Sequence, residues 1–192
     1  MLTERSTYNQ LLPALREVKD YTQLTLNNPA VRRTLKRDFV IMIKRVNTAW
    51  NKVPAAYVYI KEKKGLNIFG FAVLQGSEGD SFAASYRHDR FKALVIHGHA
   101  INRYIERHGY EGTLEQATGK LMLALGTSVP TNDSDTTYIY FDNGTFLCNG
   151  HGEVLHVRTY INNQQCHRNQ RLWSEKSKMK TDKVIKTIEK LL

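Results

Sequence analysis

The sequence predicts an α+β protein, with an antiparallel sheet, a central short helix pair and helical extensions at both ends of the chain. Segments with helical periodicity lie at the two ends and enclose segments rich in β-branched and aromatic residues. Two tight-turn signals, Asp142-Asn143-Gly144 and Asn149-Gly150, separate neighbouring strands and favour hairpins. The length of 192 residues, with 41% hydrophobic and 24% charged residues, is typical of one globular domain.

Residues 1–53 are predicted to form a helical N-terminal extension. The apolar residues that follow Leu11 recur at helical spacing. The pair Asn28-Pro29 is typical of a helix start, and we expect this second helix to reach about Trp50. One face of the second helix is basic and includes two candidate nucleic-acid-binding residues, Arg33 and Arg37.

Residues 54–162 are predicted to form the α+β core. The expected strands, in chain order, are 56–63, 67–75, one within 82–96, 138–141, 145–148 and 154–161. A short helix is expected from His99 to about His108, with Gly109 just beyond its end. Thr113 is a suitable N-cap for a second helix over residues 114–125.

Residues 163–192 are predicted to form a basic helical tail, which contains the candidate nucleic-acid-binding residues Arg168 and Arg171. In the whole chain, 28 Lys and Arg residues stand against 18 Asp and Glu residues, a net charge of +10. A field of this sign attracts polyanions, chiefly nucleic acid. The alternative is a charge that only keeps the protein in solution.

The sequence gives no indication of a membrane or secreted protein. Aliphatic runs such as Val40–Ile43 are too short to span a bilayer, and no basic region followed by an apolar region opens the chain. Cys148 and Cys166 are too few to make a disulfide framework. We therefore expect a cytoplasmic location.

The sharpest local pattern is His99-x-x-x-Arg103-x-x-Glu106-Arg107. On a helix these four residues fall within roughly 100° of one another, and Ile101 and Tyr104 point the opposite way. RNA cleavage needs a base for the 2′-hydroxyl, an acid for the leaving oxygen and cations for the phosphorane, and imidazole with guanidinium supplies all three. The alternative is a solvated helix face with an ordinary i, i+3 ion pair.

A second pattern lies on the last predicted strand. Alternation places His156, Arg158 and Tyr160 on one face of it. Arg158 and Tyr160 are therefore candidate nucleic-acid-binding residues. The alternative is a strand face that is simply exposed to water.

Metal and cofactor sites are not expected. Candidate zinc ligands are present at His97, His99, Cys148, His151, His156, Cys166 and His167, but none has the paired spacing of a structural site. The chain has no Walker loop, dinucleotide glycine pattern or nucleophile elbow. Whether His97, His151 or His156 joins the His99 site depends on where the last strand lies.

Part of the chain resembles the BrnT-like and RelE-like toxin ribonucleases. The resemblance lies in the stretch His99-Ala100-x-x-Arg103-x-x-Glu106-Arg107-His108-Gly109, in the Thr-capped helix that follows it, and in a meander ending in Arg158-Thr159-Tyr160. These ribonucleases belong to the group that joins barnase, EndoU, colicin nucleases and RelE. The resemblance covers residues 91–161. His108 precedes the glycine that the family pattern would place there, and compact toxins lack the two basic extensions.

The resemblance implies metal-independent cleavage of RNA. By it, His99 is the acid or base, Arg103 and Arg107 hold phosphate, Glu106 orients them and Thr159 assists at the phosphate. It also implies a protein partner of the antitoxin kind.

The leading hypothesis is thus a metal-independent endoribonuclease with a His/Arg site and RNA as its partner. The rival is a non-catalytic nucleic-acid or nucleotide-binding regulator or inhibitor, of the phage or mobile-element type, that uses the same arginines as phosphate clamps. A third reading is an interaction module whose terminal helices assemble a homo-oligomer without RNA affinity.

Overall fold

A computed structural model describes most of the chain. The described residues are 2–30, 46–47, 54–62, 65–75, 81–128, 130–133, 136–141 and 143–165. Within them the helices are α1 (Tyr8–Asn27), α2 (Gly98–His108) and α3 (Leu114–Thr127). The strands are β1 (Val46–Asn47), β2 (Pro54–Glu62), β3 (Gly65–Gln75), β4 (Ser81–Tyr86), β5 (Ala93–Ile96), β6 (Thr131–Asp133), β7 (Thr136–Phe141), β8 (Gly144–His151) and β9 (Val154–Asn162).

All the described strands belong to one sheet, in the order β1-β2-β3-β4-β5-β9-β8-β7-β6. Each half of this order is an antiparallel meander of strands that follow one another in the sequence. The halves meet where β5 pairs with β9 in parallel, Ala93 opposite Val154 and Ile96 opposite Val157. The α2–α3 helix pair makes the connection from β5 to the second half. The predicted α+β class is therefore confirmed.

The two faces of the sheet carry separate cores. On one face α1 packs on β3 and β4 and buries Leu11, Leu15 and Val18 against Phe82 and other side chains. On the other face α2 lies along β9 and beside α3, in a larger core that includes Tyr104 and Tyr160. Because β5 contributes to both cores, it is buried on both sides.

The predicted helix pair is confirmed together with its end signals. Gly109 follows α2 with a left-handed backbone, φ 69°, a conformation that glycine adopts without a steric penalty. Thr113 caps α3 by accepting a hydrogen bond from the Gln116 amide, and the Gln116 side chain accepts one from the Thr113 amide. Both ends were visible in the sequence because they depend on local residue chemistry.

Three sequence expectations differ from the structure. Val46–Asn47 is an edge strand paired with β2, whereas the apolar spacing predicted a helix to Trp50. Pairing with a neighbouring strand overrides the local periodicity here. A strand, β6, crosses the region expected as a loop, and residues 82–96 contain two strands. The predicted tail, with Arg168 and Arg171, and the predicted basic helix face, with Arg33 and Arg37, lie outside the described residues.

No helix in the described part of the chain is long and apolar enough to cross a membrane.

Gly98, the first residue of α2, lies against the backbone of β4. A Cβ atom built on Gly98 would come within 2.3 Å of the Ser81 carbonyl oxygen. In an open helix, alanine is favoured over glycine by about 1 kcal/mol, but a paired strand backbone cannot move aside. We therefore expect Gly98→Ala to lower the free energy of unfolding by about 1–3 kcal/mol in urea titrations. Asn102→Ala, on the exposed face of the same helix, is the control, and an unchanged midpoint for Gly98→Ala would contradict the close approach.

Candidate active site

His97 lies at the junction between β5 and α2, and the N-terminal segment reaches it from the far end of the sequence. Its Nδ1 atom is 2.9 Å from Glu4 Oε2. The other carboxylate oxygen of Glu4 accepts a hydrogen bond of 3.0 Å from the Gly98 amide, at the start of α2. A helix start favours a carboxylate because its free amides and the helix dipole both attract negative charge. The Glu4 side chain thus contacts both the start of α2 and the His97 imidazole.

His156 supplies a second imidazole from β9. It is the residue opposite Val95 in the parallel pairing of β5 and β9, which places it next to the end of β5. His156 Nδ1 is 3.5 Å from His97 Nε2, and the two rings meet edge to face. Both residues are buried, with 4% of the surface exposed in each case. Glu4, His97 and His156 therefore form a continuous carboxylate–imidazole–imidazole chain.

Basic and imidazole side chains surround this buried chain. Arg5, His99, His151 and Arg158 are all exposed. Burial lowers the pKa of His97 to about 4, and the neighbouring charges of Arg158, Arg5 and His99 act in the same direction. We use the name histidine cluster for Glu4, Arg5, His97, His99, His151, His156 and Arg158.

The pKa of His156 is also lowered to about 4. Burial is the main cause, and electrostatic interaction with His97, His151 and Arg158 adds to it, while a hydrogen bond that the His156 ring donates to the Glu4 backbone opposes it. Both imidazoles of the pair are therefore neutral near pH 7. A neutral imidazole has a free lone pair and can accept a proton.

A β-bulge separates Tyr160 from His156. On β8, Cys148 is opposite Val157 and Leu147 is opposite Thr159, so that Arg158 has no opposite residue. The extra residue reverses the alternation of side chains along β9. Tyr160 is consequently buried in the core beneath α2, and the predicted shared face of His156, Arg158 and Tyr160 is wrong for Tyr160, which is not available to a ligand.

The predicted face of α2 exists as a surface. His99 and Glu106 are exposed and Arg103 is partly exposed, whereas Ile101 and Tyr104 on the opposite side are buried. Arg103 Nη1 is paired with Glu106 Oε2 at 2.9 Å. The predicted orientation of this helix is therefore confirmed.

Two of the predicted catalytic residues, Arg107 and Thr159, are not on the exposed face of α2 with His99, Arg103 and Glu106. Arg107 Nη1 donates a hydrogen bond of 2.6 Å to the Tyr160 carbonyl, which ties α2 to β9. Thr159 precedes Tyr160 and, by strand alternation, points to the opposite face of the sheet from it. Because α2 lies on the Tyr160 side, Thr159 is on the other side of the sheet, the side that His156 also faces.

The sequence did not single out Glu4, and it left open whether His97 and His156 join the site. No local signal points to Glu4, because its contact spans the distance from residue 4 to residues 97 and 98. His156 lies next to His97 because β5 and β9 pair in parallel. No turn signal in the sequence indicates this pairing. The clue available in the sequence was the concentration of histidines between positions 97 and 99 and between 151 and 156.

The potential metal ligands and the described cysteine complete the account of this region. Among the described residues, no group of three or more His, Cys, Asp or Glu side chains is arranged to hold a metal ion. Cys148 is fully buried, and its burial raises the pKa of the thiol well above the usual range. A thiol in this environment is a poor nucleophile and metal ligand.

Comparison with protein-family models, with curated proteins and with solved structures finds no match for this chain.

Proposed function

We propose that the protein is a metal-independent endoribonuclease whose reaction takes place at the histidine cluster. The observation that carries the proposal is the chain from Glu4 through His97 to His156, bordered by the exposed cations Arg5 and Arg158. A neutral imidazole can supply the base of phosphodiester transfer, and guanidinium groups can supply the cations that stabilise the phosphorane. The net charge of +10 favours RNA as the polyanion.

The proposed reaction is an internal transfer to the 2′-oxygen. A neutral imidazole of the buried pair, His156, accepts the proton of the ribose 2′-hydroxyl while O2′ attacks phosphorus. Arg5 and Arg158 balance the negative charge on the phosphorane. His99, the exposed imidazole at the start of α2, donates a proton to the leaving 5′-oxygen. The products are a 2′,3′-cyclic phosphate and a 5′-hydroxyl.

The remaining exposed face of α2 then serves to bind the substrate. Arg103 can bind a phosphate if it releases its present partner, Glu106. The ion pair between them is exposed and contributes little stability. Arg107 holds β9 through the Tyr160 carbonyl and contributes by fixing the helix. This division of roles differs from the one that the toxin resemblance implies, in which Arg107 contacts phosphate and Thr159 assists.

A second candidate is a nucleic-acid-binding regulator without catalysis. The observation that favours it is the burial of both His97 and His156, which leaves the exposed residues Arg5, His99, His151 and Arg158 as the accessible surface. Such a surface can clamp phosphates without turning them over. It predicts salt-dependent binding of RNA with no change in chain length.

An RNA cleavage assay in EDTA tests the proposal. We expect the wild-type protein to produce 2′,3′-cyclic phosphate ends, and His99→Ala and His156→Ala each to lower the cleavage rate by about 100-fold or more, since general acid–base catalysis contributes about 100-fold to 10,000-fold. Product ends can be read by their resistance to ligation and by mass spectrometry.

His88→Ala is the matched control, because His88 is an exposed histidine that follows β4, away from the end of β5 where His97 lies. It should cleave like the wild type. Cleavage that survives both His99→Ala and His156→Ala would refute the assignment. A salt-sensitive gel shift without any product would favour the regulator instead.

A further inference from the structure

We propose that Glu4 is the positioning residue of the histidine cluster: it holds His97 in the Nδ1–H form, so that the Nε2 lone pair of His97 faces His156. The catalytic role of Glu4 rests on the proposed function, but its effect on the protonation of His97 can be tested without RNA. Glu4 lies outside the motif that the sequence singled out.

The two oxygens of the Glu4 carboxylate have different partners. Oε1 accepts from the Gly98 amide at 3.0 Å, and Oε2 is 2.9 Å from His97 Nδ1. The Gly98 amide is a donor in every protonation state, so one oxygen is always committed to it. An ionised carboxylate can only accept hydrogen bonds. A contact of 2.9 Å therefore requires a proton on His97 Nδ1.

This proton determines the state of the His97 nitrogen that faces His156. A neutral His97 with hydrogen on Nδ1 has a lone pair on Nε2, and that atom faces His156 Nδ1 at 3.5 Å. The Nε2 lone pair of His97 can therefore accept a hydrogen bond from His156 Nδ1 when that nitrogen carries the proton. A neutral His156 ring keeps one unprotonated nitrogen, and the proposed general base depends on that nitrogen.

The N-terminal segment is built to keep Glu4 in place. A turn from Thr3 to Ser6 is closed by a hydrogen bond of 3.0 Å from the Ser6 amide to the Thr3 carbonyl. The Ser6 hydroxyl accepts from the Thr3 amide at 2.8 Å, and Ser6 is buried. The backbone of Glu4 also makes a hydrogen bond with His156. A residue held at three points loses little entropy when it orients a neighbour.

Glu4→Gln is the decisive substitution, because it keeps the shape and changes one oxygen to an NH2 group. The remaining oxygen is expected to stay on the Gly98 amide, which can only donate. The NH2 group then faces His97 Nδ1 and forces that nitrogen to accept, so that the proton moves to Nε2. Long-range proton–nitrogen NMR of the imidazole rings distinguishes the two forms directly.

We expect His97 to be Nδ1–H in the wild type and to change to Nε2–H in Glu4→Gln, with the thermal unfolding midpoint confirming that the variant is folded. RNA cleavage should fall by about 100-fold in Glu4→Gln and recover in part in Glu4→Asp, which restores an acceptor-only group. Glu111→Gln, at an exposed position between α2 and α3, is the control and should change neither quantity.

A wild-type His97 in the Nε2–H form, or an unchanged form in Glu4→Gln, would overturn the inference whatever the RNA assay shows. If the NMR change occurs and neither protein cleaves RNA, the positioning role stands and the proposed function fails. Faster cleavage by Glu4→Gln would also overturn the inference, because Glu4 would then obstruct the site instead of orienting it.

Discussion

Replacing Arg87 by methionine is expected to lower the free energy of unfolding by about 3–5 kcal/mol. The guanidinium group of Arg87 is buried, and it donates hydrogen bonds to the carbonyls of Leu125 and Ser128 at the end of α3. It also pairs with Asp89 at 2.8 Å. Methionine fills similar space but removes the guanidinium donor from these carbonyls and from the carboxylate, and helix carbonyls at a C terminus favour a nearby cation.

Urea unfolding followed by circular dichroism measures this effect. Arg90→Met is the matched control: Arg90 is exposed and lies over the Phe91 ring, so its loss should cost less than about 1 kcal/mol. Arg87→Lys keeps the charge but has no planar fork to span two carbonyls, and should fall between the two. Equal midpoints for Arg87→Met and Arg90→Met would show that the end of α3 does not depend on Arg87.

Acidification is expected to destabilise the protein before its carboxylates titrate. The pKa values of His97 and His156 are about 4 in the folded state against 6.5 for an unperturbed imidazole. Between these values the unfolded chain binds more protons than the folded one. The stabilising contribution of the two histidines is therefore complete above pH 6.5 and is lost as the pH falls toward 4, by on the order of 3 kcal/mol for each histidine.

The measurement is the free energy of unfolding at a series of pH values across this range. His156→Gln removes one of the two buried imidazoles and should flatten the curve, at the cost of a lower stability at neutral pH. His88→Gln changes an exposed histidine and should leave the slope unaltered. A slope that is the same in wild type and His156→Gln would mean that the pair is not neutral in the folded protein.

The sequence was most informative where structure depends on neighbouring residues. Thr113 and Gly109 indicated the ends of α3 and α2, and the spacing of Ile101 and Tyr104 indicated which side of α2 is buried. These features follow from helix geometry and capping. Strand β1 was missed because its partner β2, not its own residues, makes it a strand.

The candidate site was predicted only in part, for reasons of distance and register. The α2 face could be found because its residues are close together in the sequence. Glu4 could not be found, since its contact with His97 depends on how the N-terminal turn folds over the sheet. The bulge at Arg158 was equally hidden, and a single extra residue was enough to move Tyr160 from the predicted surface into the core.

The parallel pairing of β5 with β9 has a consequence for the order of folding. Each antiparallel meander consists of strands close in sequence, whose contacts close short loops, whereas the pairing of Ala93 with Val154 closes a loop that includes α2, α3 and three strands. Such non-local closure is slow compared with hairpin formation. Because His97 follows one partner strand and His156 lies on the other, the pair comes together only at this step. A chain still in the process of folding thus has complete hairpins but no assembled histidine pair.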